Sequence, residues 1–434
     1  LFCVGDDDQS IYAWRGAKIE NIINFPNEFN CEVVRLTKNY RSNNAILEAA
    51  SSVISNNKNR LGKILESCNN EIPEQKINLK SFYSQEEESL WVADNISRKY
   101  NDQETFGILV RLTAQMRSIE DKLIKYALPY EIIGGPRFFE RKEIKDVLSY
   151  LKLANSHSDD LSFERIINLP RRGIGEQSIK IIIDHSRSNN FSFFESLKDL
   201  VQSNKLSPSL LSKTQPFIDL INRISELINK TSLEDLGIFV IEESGYLKML
   251  ENEKNKLKQI ENESRIDNLK ELVNALSEFE NLDEFLEHVG LVNENQKKTH
   301  QNSIKLMTLH AAKGLEFDHV YLPGWEEGIF PSSRALEQNS TKSLEEERRL
   351  AYVGITRAKY DLNLSYASSR YTYGINNYSL PSRFLSEIKS INLEETDYID
   401  NQSDIDKPKL LSSDNIALSP GKKRMMEFLN KHKK

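Results

Sequence analysis

Short apolar segments, several of them alternating with polar residues, recur along this sequence and are typical of β-strands. They predict strands at residues 1–4, 77–82, 106–110, 304–306, 319–322 and 362–366. Segments with helical periodicity lie among them and predict helices at residues 44–53, 86–100 and 114–126. Strands that alternate with helices predict an α/β domain with a parallel sheet, whose ligands bind at the carboxyl ends of the strands.

The pattern changes after the glycine-proline turn at Gly134–Pro136. From Phe139 to Gln296 the sequence has helical periodicity and almost no strand signal. The clearest predicted helices of this part span residues 139–154, 209–229, 233–243 and 265–280. The sequence therefore predicts an all-helical block with α/β segments on both sides. A later helix is predicted to start at Ser343, because Ser343 and Glu346 have the spacing of a capping box.

Length and composition narrow the class of protein. A chain of 434 residues is too long for one compact core and predicts two or three domains. The net charge of −7 argues against a surface that binds nucleic acid everywhere, but it allows a local basic groove. Cys3, Cys31 and Cys68 lack the spacing of a metal or redox site, which favours reduced thiols and a cytoplasmic location. No apolar run reaches the roughly 18 residues of a membrane span, and no signal peptide is recognisable.

The segment GDDDQSIYAWRGA at residues 5–17 follows a predicted strand and carries candidate chemistry. An amide such as that of Gln9 can donate to a phosphate oxygen and accept from an attacking water at the same time. Tyr12 and Trp14 offer faces for base stacking, and Arg15 beside them offers a cation for phosphate. The alternative is an acidic turn with two ordinary buried aromatic residues.

Two further segments combine arginine with an aromatic residue or with glycine. In LTKNYRS, Tyr40 could stack on a nucleobase while Arg41 points at a γ-phosphate; the alternative is a surface pair at the start of a helix. In PRRGIG, Arg172 with Gly173 and Gly175 precedes a predicted helix, and glycine lets backbone N–H groups approach a phosphate. The alternative for this segment is a glycine turn between two helices.

Another polar segment follows the strand predicted at residues 304–306. Thr308, His310 and Lys313 could reach a nucleic-acid backbone or relay the state of a bound nucleotide. A lone histidine is more often structural, so His310 alone does not decide between a functional and a structural role.

Four segments of this sequence resemble motifs III, IV, V and VI of the UvrD/Rep/PcrA-type DNA helicases of superfamily 1. They are GDDDQSIYAWRGA, LTKNYRS, TLHAAKGLEF and EERRLAYVGITRA. The resemblance covers roughly residues 1–390 and implies a RecA-like parallel-sheet motor domain split by an all-helical insertion. It implies the end of a first RecA-like domain at residues 1–37, a second such domain at 38–134 and 303–393, a helical insertion at 135–302, and a disordered or basic tail at 394–434.

The resemblance also implies roles for single residues. Gln9, Arg41 and Arg357 would act on the phosphates of ATP, the two arginines as arginine fingers. Tyr40 and Glu316 would bind the base and the ribose. The residues implied to contact DNA are Tyr12, Trp14, Arg15, Thr308, His310 and Tyr373 for the single strand, and Arg172, Gly173 and Gly175 for the duplex. Where many relatives carry a histidine stacked on DNA, this chain has Ser332.

The sequence contains no G-x-x-x-x-G-K-[ST] segment and no Asp-Glu pair at the end of a predicted strand. In the family these features cradle the phosphates and hold Mg²⁺, and they lie upstream of motif III. We therefore expect this chain to be the carboxyl-terminal part of a longer protein. The expected function of that protein is ATP-dependent 3′-to-5′ translocation and duplex unwinding in DNA repair or replication, with ATP and Mg²⁺ as cofactors.

The expected partners are single-stranded DNA and junctions of single and double strands, with repair proteins as candidates and no membrane. Two other classes stay open, namely a non-catalytic DNA-binding module and the motor part of a helicase-nuclease. A nuclease would need a further domain, and the chain beyond Leu393 is short. The composition after about Asn392 predicts a disordered tail, with a short basic helix at Met425–Lys434.

Overall fold

The computed structural model of the protein describes residues 3–13, 16–58, 60–68, 76–101, 103–294, 303–337, 340–372 and 375–397. These residues divide into two compact units. Among the described residues, those within 3–135, 303–370 and 376–397 form the first unit, and those within 136–294 and 371–375 form the second.

A parallel sheet forms the centre of the first unit. The strands of the described chain are β1 (Lys38–Asn39), β2 (Glu66–Ser67), β3 (Ile77–Ser84), β4 (Phe106–Val110), β5 (Tyr130–Ile133), β6 (Ile304–Thr308), β7 (Phe317–Leu322), β8 (Ala358–Thr372), β9 (Ile375–Tyr378) and β10 (Leu393–Asp397). Among the described residues, eight of them form one sheet in the order β10, β3, β8, β7, β4, β6, β5, with β9 beside β8. Each neighbouring pair in that order is parallel, which confirms the predicted α/β class.

Helices connect the strands and fill the second unit. They are α1 (Glu20–Phe29), α2 (Asn44–Ile54), α3 (Gln85–Lys99), α4 (Met116–Lys125), α5 (Lys142–Asn155), α6 (Asp160–Ile166), α7 (Glu176–Asn189), α8 (Phe193–Gln202), α9 (Pro208–Leu227), α10 (Leu233–Glu243), α11 (Tyr246–Glu251), α12 (Lys256–Ser277), α13 (Leu282–Glu294), α14 (Ser333–Glu337), α15 (Thr341–Ile355) and α16 (Arg383–Glu387). The described residues of 136–294 form helices and turns, as the helical periodicity predicts.

The sheet separates two apolar cores, because successive side chains of a strand point to opposite faces. Leu109 and Met307 belong to one core, while Ile108 and Leu306 belong to the other. All five residues of β4 are buried. A strand covered on both faces reads as a continuous apolar run rather than an alternating one, and this is why the predicted bounds of β4, Phe106–Val110, agree with the structure.

Local side-chain caps fix the starts of several helices. The side chain of Asn43 accepts a hydrogen bond from the N–H of Ile46 at 3.0 Å and starts α2. Ser84 does the same for α3, accepting from the N–H of Glu87 at 3.2 Å. Each cap satisfies a backbone donor that lacks a partner within the helix. At Ser84 the cap marks the point where β3 ends and its crossover helix α3 begins.

In the second unit, a buried carboxylate links three helices. Asp146 on α5 accepts from Nε of Arg165 on α6 and from the hydroxyl of Tyr246 on α11, both at 2.7 Å. Both carboxylate oxygens are thereby satisfied, which a buried charge requires. This arrangement fixes α6 and α11 against α5 inside the helical unit.

Several predicted boundaries are wrong by a few residues. Helix α15 begins at Thr341 instead of Ser343, and the helix predicted at 265–280 is the later part of a longer one, α12. Cys3 and Val4 lie in no strand, although a strand was predicted at 1–4, and Val4 is 79% exposed. The tail and the helix predicted at Met425–Lys434 lie outside the described residues. Within the described chain, no helix has the length and apolar character that crossing a membrane would take.

A titratable cluster lies at the amino end of β7. His319 stacks on Phe106 with 4.6 Å between ring centroids, and its two ring nitrogens lie 3.2 Å from Asp361 and from Glu104. Phe106 and Asp361 are its register partners on the two flanking strands. Burial lowers the pKa of His319, but the hydrogen bonds and charges of Asp361 and Glu104 outweigh it and raise the pKa above its ordinary value of 6.5.

We expect His319 to stabilise the fold more at low than at high pH. A folded-state pKa above the unfolded value adds stability that is fully present below the unfolded pKa and is lost as pH rises through the folded pKa. The free energy of unfolding of His319→Gln, measured with urea from pH 5.5 to 8.5, should therefore lie furthest below that of the natural residue at pH 5.5. A deficit that grew with pH would contradict this assignment of charge.

Candidate functional site

The predicted site residues lie at two opposite edges of the parallel sheet. Thr308 ends β6, whereas Glu316 directly precedes β7 and Arg357 directly precedes β8. Because these strands are parallel, Thr308 lies at the carboxyl edge and the other two lie at the amino edge. The predicted residues therefore do not all lie at the carboxyl edge, where the sequence pattern led us to expect them. Crossover helix α15 runs back along the sheet, so the residue that follows it must lie where β8 begins.

At the amino edge, Arg41 and Glu316 form an ion pair. Nε of Arg41 donates to Glu316 at 2.7 Å, and Nη1 donates to the carbonyl of Thr356 at 3.2 Å. Nζ of Lys359 lies 3.5 Å from the same glutamate. The hydrogen bond from Arg41 is the main reason why the pKa of Glu316 lies below its ordinary value. The Arg41 side chain is 29% exposed, so its remaining N–H groups can be reached from solvent.

Arg357 lies beside this pair and is only 2% exposed. It donates to the carbonyls of Val353 and Leu315, each at 2.9 Å, and to the hydroxyl of Thr356 at 3.1 Å. Arginine has five N–H groups, so within the described chain one N–H on each terminal nitrogen is left for a ligand. Burial, aided by the charge of Arg41, lowers the pKa of Arg357 to about 10, which leaves the guanidinium protonated at neutral pH.

The segment of residues 6–13 lies along α15. Nε of Arg349 donates to the carbonyl of Ser10 at 2.9 Å, and the N–H of Ala13 donates to Glu346 at 3.0 Å. Ile11 between them is fully buried in the core that also contains Tyr352. Glu346 is thus no capping residue, which explains why the predicted start of α15 is wrong. The helix holds the backbone on both sides of Ile11.

Gln9 is held from two sides within this segment. Its side-chain amide donates to the carboxylate of Asp6 at 2.7 Å, and its backbone carbonyl accepts from Nζ of Lys313 at 2.8 Å. Lys313 follows β6, so the turn after that strand contacts the glutamine loop directly. The predicted phosphate-sensing residue is therefore connected by hydrogen bonds to the predicted nucleic-acid segment.

Three consecutive carboxylates precede Gln9 and are close enough together to suggest a metal site, Asp6, Asp7 and Asp8. Each of them already has a partner in the loop that follows α2. Asp8 accepts two hydrogen bonds from Arg60, at 2.9 and 2.7 Å; Asp7 accepts from the N–H of Leu61 at 2.7 Å; and Asp6 pairs with Lys63 at 2.7 Å. Two cations and a backbone donor satisfy these charges, so the arrangement does not fit Mg²⁺, which binds carboxylates with water and phosphate oxygens.

At the carboxyl edge, Tyr12 and His310 meet. The hydroxyl of Tyr12 donates to the carbonyl of His310 at 3.2 Å, and the two ring centroids are 6.4 Å apart. Nζ of Lys313 lies 5.2 Å from the centre of the Tyr12 ring. Thr308 accepts from the N–H of Ala311 and thereby shapes the turn. The structure brings together aromatic, basic and hydroxyl groups that suit a nucleic-acid backbone.

The prediction also named Trp14, Arg15, Tyr373 and Tyr40. Trp14, Arg15 and Tyr373 lie outside the described residues. Tyr40, next to Arg41, is 69% exposed.

In the second unit, Arg172 points into its own loop. Its Nη1 donates to the carbonyls of Ile166 and Ile167 at 2.9 and 3.2 Å, and Nη2 donates to the hydroxyl of Tyr150 at 2.8 Å. Gly173 and Gly175 themselves are exposed. Gly173 has φ of +73°, which favours glycine, and Gly175 is the N-cap of α7. Arg172 thus shapes the loop, while the glycines form its accessible surface.

Two residues that hold the surroundings of the site in place, Arg60 and Glu347, were not predicted from the sequence. Arg60 secures Asp8, and Glu347 accepts two hydrogen bonds from Arg111 at 3.1 and 2.6 Å. The partners lie 52 and 236 positions apart in the sequence. Partners this far apart could not have been paired from a local sequence pattern.

Comparison with protein families gives two matches on this chain. Residues 34–369 match the UvrD-like helicase C-terminal domain, and residues 1–30 match the UvrD/REP helicase N-terminal domain. The first match covers most of the chain, including Arg41, Glu316 and Arg357 at the amino edge and Thr308 and His310 at the carboxyl edge, while Tyr12 lies within the second match.

Curated proteins of similar sequence cover nearly the whole chain. A probable DNA helicase II homolog of Rickettsia conorii is 43% identical over 399 residues, which is 89% of this chain and 60% of that protein. DNA helicase II of Escherichia coli is 41% identical over 91% of this chain and 56% of its own length. The ATP-dependent DNA helicase PcrA of Bacillus subtilis is 40% identical over 91% of this chain and 54% of its own length. The chain thus spans between half and two thirds of these relatives.

Proposed function

We propose that this chain, which belongs to the UvrD-like helicase family, forms part of an ATP-dependent DNA helicase. The observation that carries the proposal is the course of α15. Its middle holds the segment of residues 6–13 through Glu346 and Arg349, and its end leads into Arg357 beside Arg41. One helix therefore connects candidate nucleic-acid contacts with a pair of guanidinium groups suited to a polyphosphate.

At the amino edge, Arg41 and Arg357 would face the γ-phosphate of ATP and stabilise the charge that shifts during its transfer. Gln9 would orient the attacking water, since a side-chain amide can donate and accept at once. Tyr40 would stack on the base and Glu316 would accept from the ribose. Mg²⁺ would neutralise phosphate charge, and we assign none of its ligands to this chain because Asp6–Asp8 are already paired.

At the carboxyl edge, Tyr12, Thr308 and His310 would contact one strand of DNA. The proposal extends to Trp14, Arg15 and Tyr373 by resemblance alone. ATP binding and hydrolysis would move this domain against the rest of the protein and carry it along the strand in the 3′-to-5′ direction. Junctions of single and double strands would be the working substrate, and repair proteins candidate partners.

The proposal places the protein in the cytoplasm. Cys3 and Cys31 are exposed thiols and Cys68 is partly exposed, and none of them is in a disulfide. Exposed thiols of this kind persist where the surroundings are reducing.

The test is carried out on the natural protein that contains this chain. We expect phosphate release that requires single-stranded DNA, and unwinding of a duplex with a 3′ tail but not with a 5′ tail. The 434-residue chain alone should release no phosphate, because no phosphate loop is among its residues. DNA binding by the natural protein without any hydrolysis would overturn the proposal and favour a non-catalytic DNA-binding module.

The glycine loop offers a separate test of duplex recognition. A Cβ at Gly175 would meet nothing within 4 Å, and its φ of −89° suits any residue. Gly175→Ala should therefore keep the fold but block close approach of a phosphate, and we expect roughly tenfold weaker binding of tailed duplex. Single-strand-stimulated ATP hydrolysis should stay within a factor of about two. Equal losses in both assays would contradict a role confined to the duplex.

A further inference from the structure

Five consecutive residues in the middle of α15 contact several different parts of the first unit. Successive residues of a helix point about 100° apart, so the run 345–349 faces all directions. Glu346 and Arg349 hold the segment of residues 6–13, Glu345 accepts from the N–H of Lys58 at 3.0 Å, and Arg348 pairs with Glu387 at 2.9 Å. The middle residue, Glu347, faces the sheet.

Glu347 joins two segments that are far apart in sequence. Its carboxylate accepts from Nη2 and Nε of Arg111, at 2.6 and 3.1 Å. It also accepts from the hydroxyl and the N–H of Ser332, at 3.0 and 3.4 Å. Each oxygen thus takes one hydrogen bond from each partner. The side chain of Glu347 is only 8% exposed, so the arrangement is protected from water and its geometry is restrained.

Both partners of Glu347 belong to the carboxyl edge of the sheet. Arg111 directly follows β4, and Ser332 lies in the loop that follows β7. Strand β4 lies between β7 and β6, the strand that ends in Thr308. Glu347 therefore ties α15 to the edge at which the proposed DNA contacts lie. Ten residues later, about 15 Å along a helix, the same element reaches the amino edge at Arg357.

We propose that Glu347 is a positioning residue that couples DNA occupancy at the carboxyl edge to Arg357 at the amino edge. This inference rests on the proposed function and assigns a new residue to it. A strand of DNA that moves Arg111 or the loop of Ser332 pulls on one carboxylate, and α15 moves with it because a helix is stiff along its axis. The last turn of α15 carries Val353, whose carbonyl accepts from Nε of Arg357, so the guanidinium follows the helix.

The experiment compares Glu347→Gln with Glu345→Gln in the natural protein that contains this chain. Both variants make the same change on the same helix, but the side chain of Glu345 accepts from the N–H of Lys58 in the loop after α2, at 3.0 Å, and not from Arg111 or Ser332. We expect Glu347→Gln to reduce the stimulation of ATP hydrolysis by single-stranded DNA at least tenfold while the KM for ATP changes less than twofold. Glu345→Gln should keep the full stimulation.

Two further variants separate coupling from a folding defect. Ser332→Ala removes a hydroxyl that donates to Glu347 at 3.0 Å and accepts from the N–H of Ala335 at 3.4 Å. It should lower the stimulation severalfold with little change in melting temperature. Glu347→Asp keeps the charge and should restore part of the stimulation that Glu347→Gln loses. Full stimulation in both Glu347→Gln and Ser332→Ala would overturn the inference, as would equal losses in Glu345→Gln. A natural protein with no DNA-stimulated hydrolysis at all would instead refute the proposed function.

Discussion

Replacing Arg357 by alanine in the natural protein is expected to lower the kcat of DNA-stimulated ATP hydrolysis by about 10³–10⁵, the range for loss of an arginine finger. A guanidinium at the γ-phosphate gains most as charge shifts during transfer, so its loss acts on the transition state more than on binding. With its pKa lowered only to about 10, Arg357 is charged at the pH of the assay. Steady-state phosphate release at saturating ATP and single-stranded DNA measures the effect.

The structure shows which controls this experiment needs. Arg357 also donates to Val353 and Leu315, so alanine removes local support as well as charge. Arg357→Lys keeps a charge but cannot reproduce these bonds together with a phosphate contact, and we expect it to stay far below the natural rate. Melting temperatures of both variants show whether the turn before β8 survives. A near-normal kcat with a raised KM in Arg357→Ala would mean that Arg357 is not a finger.

The contrast between transition-state and ground-state contacts also predicts the effects of variants at Arg41 and Tyr40. Two fingers on one phosphate act as a unit, so the variant lacking both Arg41 and Arg357 should lose much less than the product of the two single losses. Tyr40→Ala should raise the KM for ATP more than it lowers kcat, because stacking on the base is the same in ground and transition states. The 29% exposure of the Arg41 side chain, against 2% for Arg357, makes Arg41 the more accessible of the two.

The sequence predicted correctly the bounds of those elements that depend on residues close by in the chain. Strand β4 and helix α10 have the predicted bounds, since one is a continuous apolar run and the other starts at a serine that caps it. The predicted start of α15 was wrong for a physical reason. Glu346 does not turn back to cap the helix; it accepts from Ala13, 333 positions away in the sequence. A capping box and a long-range contact look identical in a sequence.

The resemblance to the family motifs named Gln9, Arg41, Glu316 and Arg357 as candidates, and the structure brings the last three together at one sheet edge. Their roles stay predictions. The edge could not be predicted, because polar residues that flank a strand look the same at its beginning and at its end. The inward orientation of Arg172 could not be predicted either, since it depends on the carbonyls of its own loop and on the hydroxyl of Tyr150.

Replacing Arg370 by leucine is expected to destabilise the first unit by about 3–5 kcal/mol, the range for removing one partner of a buried ion pair. Arg370 lies between two buried carboxylates. It donates to Glu326 at 2.7 and 2.6 Å and to Glu88 at 2.7 Å. The charges of these two carboxylates raise the pKa of Arg370 against the effect of burial. Leucine would fill much of the volume but would leave two buried carboxylates without a cation.

The neighbouring ion pair of Glu327 with Arg383 is a matched control. Its closest distance is also 2.7 Å, but the side chains are 20% and 46% exposed. An ion pair of this kind contributes about 0–1 kcal/mol, so Arg383→Leu should change the free energy of unfolding little. Urea denaturation of the two variants at neutral pH measures the contrast. Equal effects would show that burial does not decide the strength of these pairs.

The pH dependence of Arg370→Leu tests the cause of its instability. Burial already raises the pKa of Glu88 above its ordinary value of 4.5, and loss of Arg370 should raise it further. A carboxylate whose folded-state pKa lies above the unfolded value destabilises the fold at neutral pH and stops doing so as it binds a proton. The deficit of Arg370→Leu relative to the natural protein should therefore shrink as pH falls from 7 toward 5. A second substitution, Glu326→Gln, removes one of the unpaired charges and should recover part of the stability at pH 7. If the deficit were independent of pH and unchanged by Glu326→Gln, lost packing around the guanidinium, not the unpaired carboxylates, would be its cause.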